Sequence, residues 1–177
     1  MSCLLTAGVS LPCRSVGGVS PEGVFVGAWQ TPGPNAMVIG LTASSAINSF
    51  TGATVSFYQI AQDIEIASLT TKPMVSIENG TAFDEITLSF TVFNFNQATQ
   101  NLINTIKNGR FRAIVVGNDG NKYFLGYSNP VNLTDAAAGI GKALGDMNGV
   151  SFTLTAKEAL GVLQVEDAAF LQVATFV

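Results

Sequence analysis

Histidine is missing from this chain altogether. That removes the side chain most often used as a general base and a metal ligand near neutral pH, and Ser-His-Asp and Cys-His triads are excluded with it. Charge is scarce as well: Asp, Glu, Lys and Arg make up 11% of the residues, where a soluble domain typically carries about 25%. Not one acidic or basic residue lies between Glu22 and Asp63, nor between Glu85 and Lys107. The charges that normally keep a surface hydrated are therefore absent from two long stretches. Long apolar runs are absent too. Gln30, Pro32, Pro34, Asn35, Asn48 and Gln59 interrupt the first stretch, and no run approaches the roughly 18–20 apolar residues of a membrane helix. A transmembrane β-barrel stays open as an alternative, but one needs even strand patterns with aromatic girdles, and the single Trp argues weakly against it. No membrane partner is expected.

Cysteine occurs only at Cys3 and Cys13, and without histidine the two make no metal site. A disulfide between them is geometrically open. The N-terminal residues show no basic segment followed by an apolar one, so folding in a cytoplasm is expected, which favours free thiols. With eight basic and twelve acidic residues the net charge is −4, which disfavours binding nucleic acid by phosphate neutralisation. Gly139-Ile140-Gly141-Lys142 fails as a phosphate loop, since Ala136 and Ala143 stand where a glycine and a hydroxyl are required. Asn118-Asp119-Gly120-Asn121 is two ligands short of a calcium loop. Asn79-Gly80-Thr81 and Asn132-Leu133-Thr134 match glycosylation sequons but come with no secretion signal. Carboxylates can pair as Asp63 with Glu65 on a strand face, Asp84 with Glu85, and Glu166 with Asp167. Paired acids can hydrolyse glycosides, yet these sit where the chain turns or enters strands, where solvated acids need no function. No catalytic residue, metal or cofactor is expected.

What the chain does contain is strand. Gly23–Gln30 is β-branched and aromatic and stops at Thr31-Pro32-Gly33-Pro34, which cannot continue a ladder. Ala36–Leu41 and Thr54–Ala61 read as strands, with Thr42–Gly52 as a loop or hairpin tip between them. Met74–Glu78 precedes the turn signal Asn79-Gly80. Glu85–Phe93 alternates Ile86, Leu88, Phe90 and Val92 with Thr87, Ser89 and Thr91, a period of two that separates an apolar face from a hydroxyl face. Asn96 is a helix cap, followed by a Thr99, Leu102, Ile103, Ile106 stripe, with Gly109 expected to end the helix in a left-handed conformation. Arg110–Gly117 and Lys122–Ser128 flank an Asp119-Gly120 hairpin turn. Segment 129–149, rich in Ala and Gly, reads as a long loop or short helix. Val150–Ala156 alternates again, and Ala168–Val177 reads as a final apolar strand tied into a sheet. The expected architecture is one mainly β domain over residues 1–177: two packed antiparallel sheets, as a sandwich or partial barrel, with one flanking α-helix.

Polar but uncharged surface suits burial against neighbouring subunits, because interfaces lose charge at their centre for the same desolvation reason that cores do. The candidate subunit interface is the 23–62 region, with Trp29, Ser45, Ser49 and Phe50 as its markers. Twelve Phe against three Tyr and one Trp favour packing over an exposed sugar platform. Trp29, Tyr58, Tyr123 and Tyr127 would nonetheless serve such a platform in an alternative reading, a β-sandwich module of a virion decoration or fibre protein that binds a surface or carbohydrate.

Lys142–Glu158 (KALGDMNGVSFTLTAKE), taken with the preceding helix, the Arg110-Phe111-Arg112 hairpin and Leu133-Thr134-Asp135-Ala136, resembles the C-terminal half of tail tube proteins of tailed bacteriophages, particularly those infecting Bacteroidota. The opening Met1-Ser2-Cys3-Leu4-Leu5-Thr6-Ala7-Gly8 with Pro12-Cys13-Arg14 is similar to the start of the same proteins. The resemblance does not extend over 23–83, and Gly161–Val177 departs from it. It implies a tail-tube-like fold and six copies closing into a ring whose inner strands form a continuous barrel. Such rings would stack into a virion tail tube, assembled in the host bacterial cytoplasm, through which DNA passes without specific binding. Further partners would be tape-measure, sheath or other tail proteins. An acidic or neutral lumen suits such a conduit, and the candidate lumen-facing acids are Asp63, Glu65, Glu78 and Glu85.

Overall fold

The computed structural model describes residues 16–31, 33, 36–52, 55–143 and 145–175. Cys3, Cys13, Pro32, Pro34, Phe176, Val177 and the opening segment of the resemblance lie outside the described residues. The elements run β1 (Val19–Ala28), β2 (Val38–Leu41), β3 (Ile47–Thr51), β4 (Phe57–Ile60), β5 (Ser68–Ser76), β6 (Thr81–Phe93), α1 (Gln97–Asn108), β7 (Phe111–Gly117), β8 (Lys122–Leu125), β9 (Asn132–Ile140), β10 (Asn148–Glu158), β11 (Leu163–Gln164), α2 (Asp167–Val173) and β12 (Ala174–Thr175).

The chain is mainly β and sandwich-like, as its alternating strands predict. A six-stranded sheet has the order β11-β8-β7-β1-β4-β12, and a four-stranded sheet the order β5-β6-β10-β9. The four-stranded sheet is antiparallel throughout, and in the six-stranded one only β12 runs parallel to its neighbour β4. The two sheets meet across one core in which Ile86, Leu88 and Phe90 of β6 and Val150, Phe152 and Leu154 of β10 face Val24 and Val26 of β1, Ala113 and Val115 of β7, and Leu125 of β8. Phe90 and Phe152 stack there with centroids 5.2 Å apart.

A third layer separates this molecule from the expected two-sheet sandwich. Phe25, Phe57, Ile114 and Phe124 point to the other face of the six-stranded sheet, where the β2–β3 hairpin and α2 cover them with Ile47, Phe50, Ala169, Phe170 and Val173. The six-stranded sheet is thus buried on both sides, and β7 reads as a nearly continuous buried run.

Helix α1 forms as expected. The Asn96 side chain accepts from the Thr99 N–H at 2.9 Å, Thr99 and Ile106 are buried, and Leu102 and Ile103 pack against the first core. Its exit differs, since Gly109 is extended at φ −95° rather than left-handed. Gly120 does take the left-handed conformation that the Asp-Gly turn requires, at φ +83°.

Three expectations are corrected. Asp167–Val173 is helix, with only Ala174–Thr175 as strand; Ala169, Phe170 and Val173 form a helical stripe, and a short apolar run does not reveal its period by composition. Segment 129–149 contains β9, because β10 offers a ladder that small residues can join despite weak strand propensity. Thr42–Gly52 holds β3, whose Ile47 and Phe50 cap the second core.

Candidate assembly surface

The two large sheets end differently. At the edges of the six-stranded sheet lie β11 and β12, each of two residues. Very short edge strands are one of the ways proteins protect a sheet from adding further strands. The four-stranded sheet ends instead in β5 and β9, each nine residues long with seven exposed. Pro73 removes one donor from β5 and Lys72 stands beside it, whereas β9 carries neither Pro nor Lys along its length. A long edge of this kind presents a row of backbone donors and acceptors to an incoming strand.

The face turned away from the first core is laid out by the ladder register. Ser89 lies opposite Thr153 and Ser68, Thr87 opposite Thr155 and Thr70, and Thr91 opposite Ser151. The hydroxyls bond locally: Thr134 Oγ1 and Thr155 Oγ1 are 2.6 Å apart, and Ser151 Oγ donates to the Ala137 carbonyl at 3.3 Å. Charge enters this face at one cross-strand row, where Glu85 stands between Lys72 and Lys157, and at Asp135 opposite Thr153. Two bases and two acids leave it neutral. Lys157 also lies over the Phe83 ring, 5.7 Å from its centroid.

Of the four acids named for the lumen, only Glu85 lies on this face. Asp63 and Glu65 do not share a strand; both are exposed in the connection from β4 to β5, where the Asp63 carboxylate accepts from the Ile64 N–H and Glu65 has φ +63°. Glu78 is exposed in the β5–β6 turn. Among the four interface markers, Ser45 is exposed and Ser49 half-buried, while Phe50 lies inside the chain's own second core against Phe124. Trp29 is half-buried with the Arg112 guanidinium 4.5 Å from its ring centroid. Lys72, Asp135 and Lys157 were not singled out by the sequence. The alternation Ser151, Thr153, Thr155, Lys157 would have placed Lys157, but Asp135 needed β9 to be seen as a strand.

Arg112 is buried in β7, its Nε donating to the Gly126 carbonyl at 3.2 Å and its Nη1 without a hydrogen-bond partner. Lys122 pairs with Asp167 at 2.6 Å on the far layer. Arg110 precedes β7 and Lys142 lies in the turn after β9, both exposed.

Near Arg112, Glu158 is the one buried acid among the described residues. Its carboxylate accepts from the backbone N–H of Ser128 and Asn129, which ties the loop after β8 to the end of β10. Burial holds this carboxyl above the ordinary glutamate range, opposed by those N–H bonds. Burial likewise lowers the Arg112 guanidinium, and the Glu158 charge opposes it. The pair reads as an internal anchor, with Arg112 and Glu158 4% and 1% exposed. No group of three or more acids or thiols fit to hold a metal occurs among the described residues, and no described helix is long and apolar enough to cross a membrane.

No family model, curated protein or solved structure matches this chain. The functional reading therefore stands on the sheet edges and the free face.

Proposed function

We propose that this chain is a virion structural protein that self-assembles, through β5 and β9, into stacked rings forming the tail tube of a bacteriophage. The observation that carries the reading is the asymmetry of edges: the six-stranded sheet ends in two-residue strands, whereas among the described residues no strand pairs with the outer side of β5 or β9, each nine residues long. Strand direction supports head-to-tail closure. Directions alternate across β5, β6, β10 and β9, so β9 of one copy beside β5 of the next continues the antiparallel alternation without a break. Repeating that contact by rotation closes a barrel and removes both edges of the four-stranded sheet. Six copies, the number the family resemblance implies, would each contribute four strands.

In such a ring the covered face of the four-stranded sheet points outward to the six-stranded sheet, which leaves its hydroxyl face for the lumen. A neutral, hydroxyl-lined wall gives passing DNA no cluster of cations at which to bind. Tape-measure, sheath or other tail proteins would be further partners, and the chain would act without catalysis. The alternative of a carbohydrate-binding sandwich requires an open aromatic platform: Tyr58 is 64% exposed, but its would-be companion Trp29 is half-buried beneath Arg112.

Electron microscopy and sedimentation velocity of the purified full-length chain test the proposal. Rings or stacked tubes with a central opening are expected. A protein that sediments only as a monomer at its highest soluble concentration would refute it.

A further inference from the structure

The four-stranded sheet is not flush at its ends. Pairing of β6 with β10 stops where Asp84 meets Glu158, but pairing of β6 with β5 continues through Met74–Phe83, Val75–Ala82 and Ser76–Thr81. The last stretch of β5 and β6 is therefore a two-stranded arm without a third strand. An isolated two-stranded hairpin is marginal in water unless it packs against something. This one is tipped with apolar side chains facing solvent: Met74, Val75 (72% exposed) and Ile77 (93% exposed).

The opposite end of the same sheet carries a matching group. Phe93 closes β6, Ile140 closes β9, and Met147 precedes β10; all three are exposed. Ile140 lies opposite Asn148, and Gly149 opposite Phe93, so the three belong to one end of the sheet. These two ends account for six of the twelve large exposed apolar side chains among the described residues. Charge is complementary as well, with exposed Glu78 in the arm's turn and exposed Lys142 in the turn between β9 and β10.

We infer that the β5–β6 arm of one copy seats Met74, Val75 and Ile77 on the Phe93, Ile140 and Met147 end of a second copy, forming the contact between successive rings. The inference rests on the assembly reading above and names the part of the chain that propagates it axially. The occupant is a second copy because both halves of the contact lie at opposite ends of one sheet. A translation along the strands brings them together, while lateral closure uses β5 and β9 through their edges. A head-to-tail contact of this kind does not close on itself, so it extends a stack.

The full-length Val75→Glu/Ile77→Glu variant tests it, alongside Glu78→Lys, Lys142→Glu and the charge-reversed pair. Both arm positions are exposed, so the thermal midpoint should stay at the wild-type value. By microscopy the double variant should give single rings, with mean tube length at least tenfold shorter than wild type. Each single charge reversal should shorten tubes, and combining the two should restore them. Tubes of wild-type length from the double variant would overturn the inference, as would loss of rings altogether, which would place the arm in the lateral contact. If wild type itself forms no rings, the assembly reading fails instead, so the two failures are told apart.

Discussion

Ala138 offers a sharp test of the proposed edge. It lies in β9 directly opposite Val150, which is fully buried, yet Ala138 itself is exposed, and among the described residues no strand pairs with the outer side of β9. Replacing it with lysine puts a charge on the core-facing side of the edge, solvated in the monomer and, on the proposed reading, set beside the covered face of a neighbour's β5 once that strand pairs there. In the monomer an exposed substitution of this kind changes stability by no more than about 0.5 kcal/mol. In the ring the ammonium loses its water without gaining a partner. Burial of an uncompensated charge costs about 3–5 kcal/mol, which at 1.4 kcal/mol per decade weakens each subunit contact by roughly 100-fold to 4,000-fold. Every contact around a closed ring carries one such lysine, so the losses multiply. Sedimentation velocity should show wild type as rings and Ala138→Lys as a monomer, with matching urea unfolding curves. If the variant forms rings at wild-type concentrations, β9 is not a subunit edge and the reasoning from free edges is wrong.

Placing charge on the β2–β3 hairpin with Ser45→Glu/Ser49→Glu should leave both fold and assembly intact, because the proposed contacts use β5, β9 and the β5–β6 arm; blocked assembly would return the 23–62 region to the interface. Phe152→Ala should destabilise the monomer by about 3–5 kcal/mol in urea unfolding, because Phe152 is fully buried and stacked on Phe90; a loss under about 1 kcal/mol would mean that the sheets do not meet through this pair. Burial raises the folded value of Glu158 above the unfolded one, so the folded state holds that proton longer. Its contribution to stability is therefore fully present below the ordinary glutamate range and is lost as pH rises through the raised value. Glu158→Gln should flatten that part of the unfolding free energy against pH, and an unchanged slope would assign it to other acids.

Legibility in the sequence followed the source of each element's stability. Glu85–Phe93 and Val150–Ala156 alternate cleanly because each has one face on a core and one on water, and both proved to be strands of the four-stranded sheet. Helix α1 was readable from Asn96 and its stripe because capping and packing agree locally. β9 was not, since Ala136, Ala137, Ala138 and Gly139 become strand only by pairing with β10. The third layer was hidden for a related reason. β1 and β7 are buried on both faces, so their near-continuous apolar runs do not report what lies on either side. The free edges belong to topology and had no signature in the chain. The neutral face was half visible, through the hydroxyls of β6 and β10 but not through Lys72 and Asp135.

The location of charge bears on how a chain so poor in it would specify the assembly proposed. The six-stranded sheet, covered on both faces, supplies the rigidity, and its two-residue edge strands keep it from recruiting neighbours. The four-stranded sheet is covered once, and its remaining face is satisfied by hydroxyls that bond to each other and to nearby carbonyls. Such a face is hydrated without carrying a field. Had the hydroxyl rows been lysines, repeated copies would add their potentials over the screening length of about 8 Å at physiological salt and hold a passing polyanion. Had they been apolar, the face would have become a third core or an aggregation site. Between those alternatives, Ser and Thr leave the nine-residue edges as the feature of this sheet on which the proposed association, sideways and strand to strand, would rest.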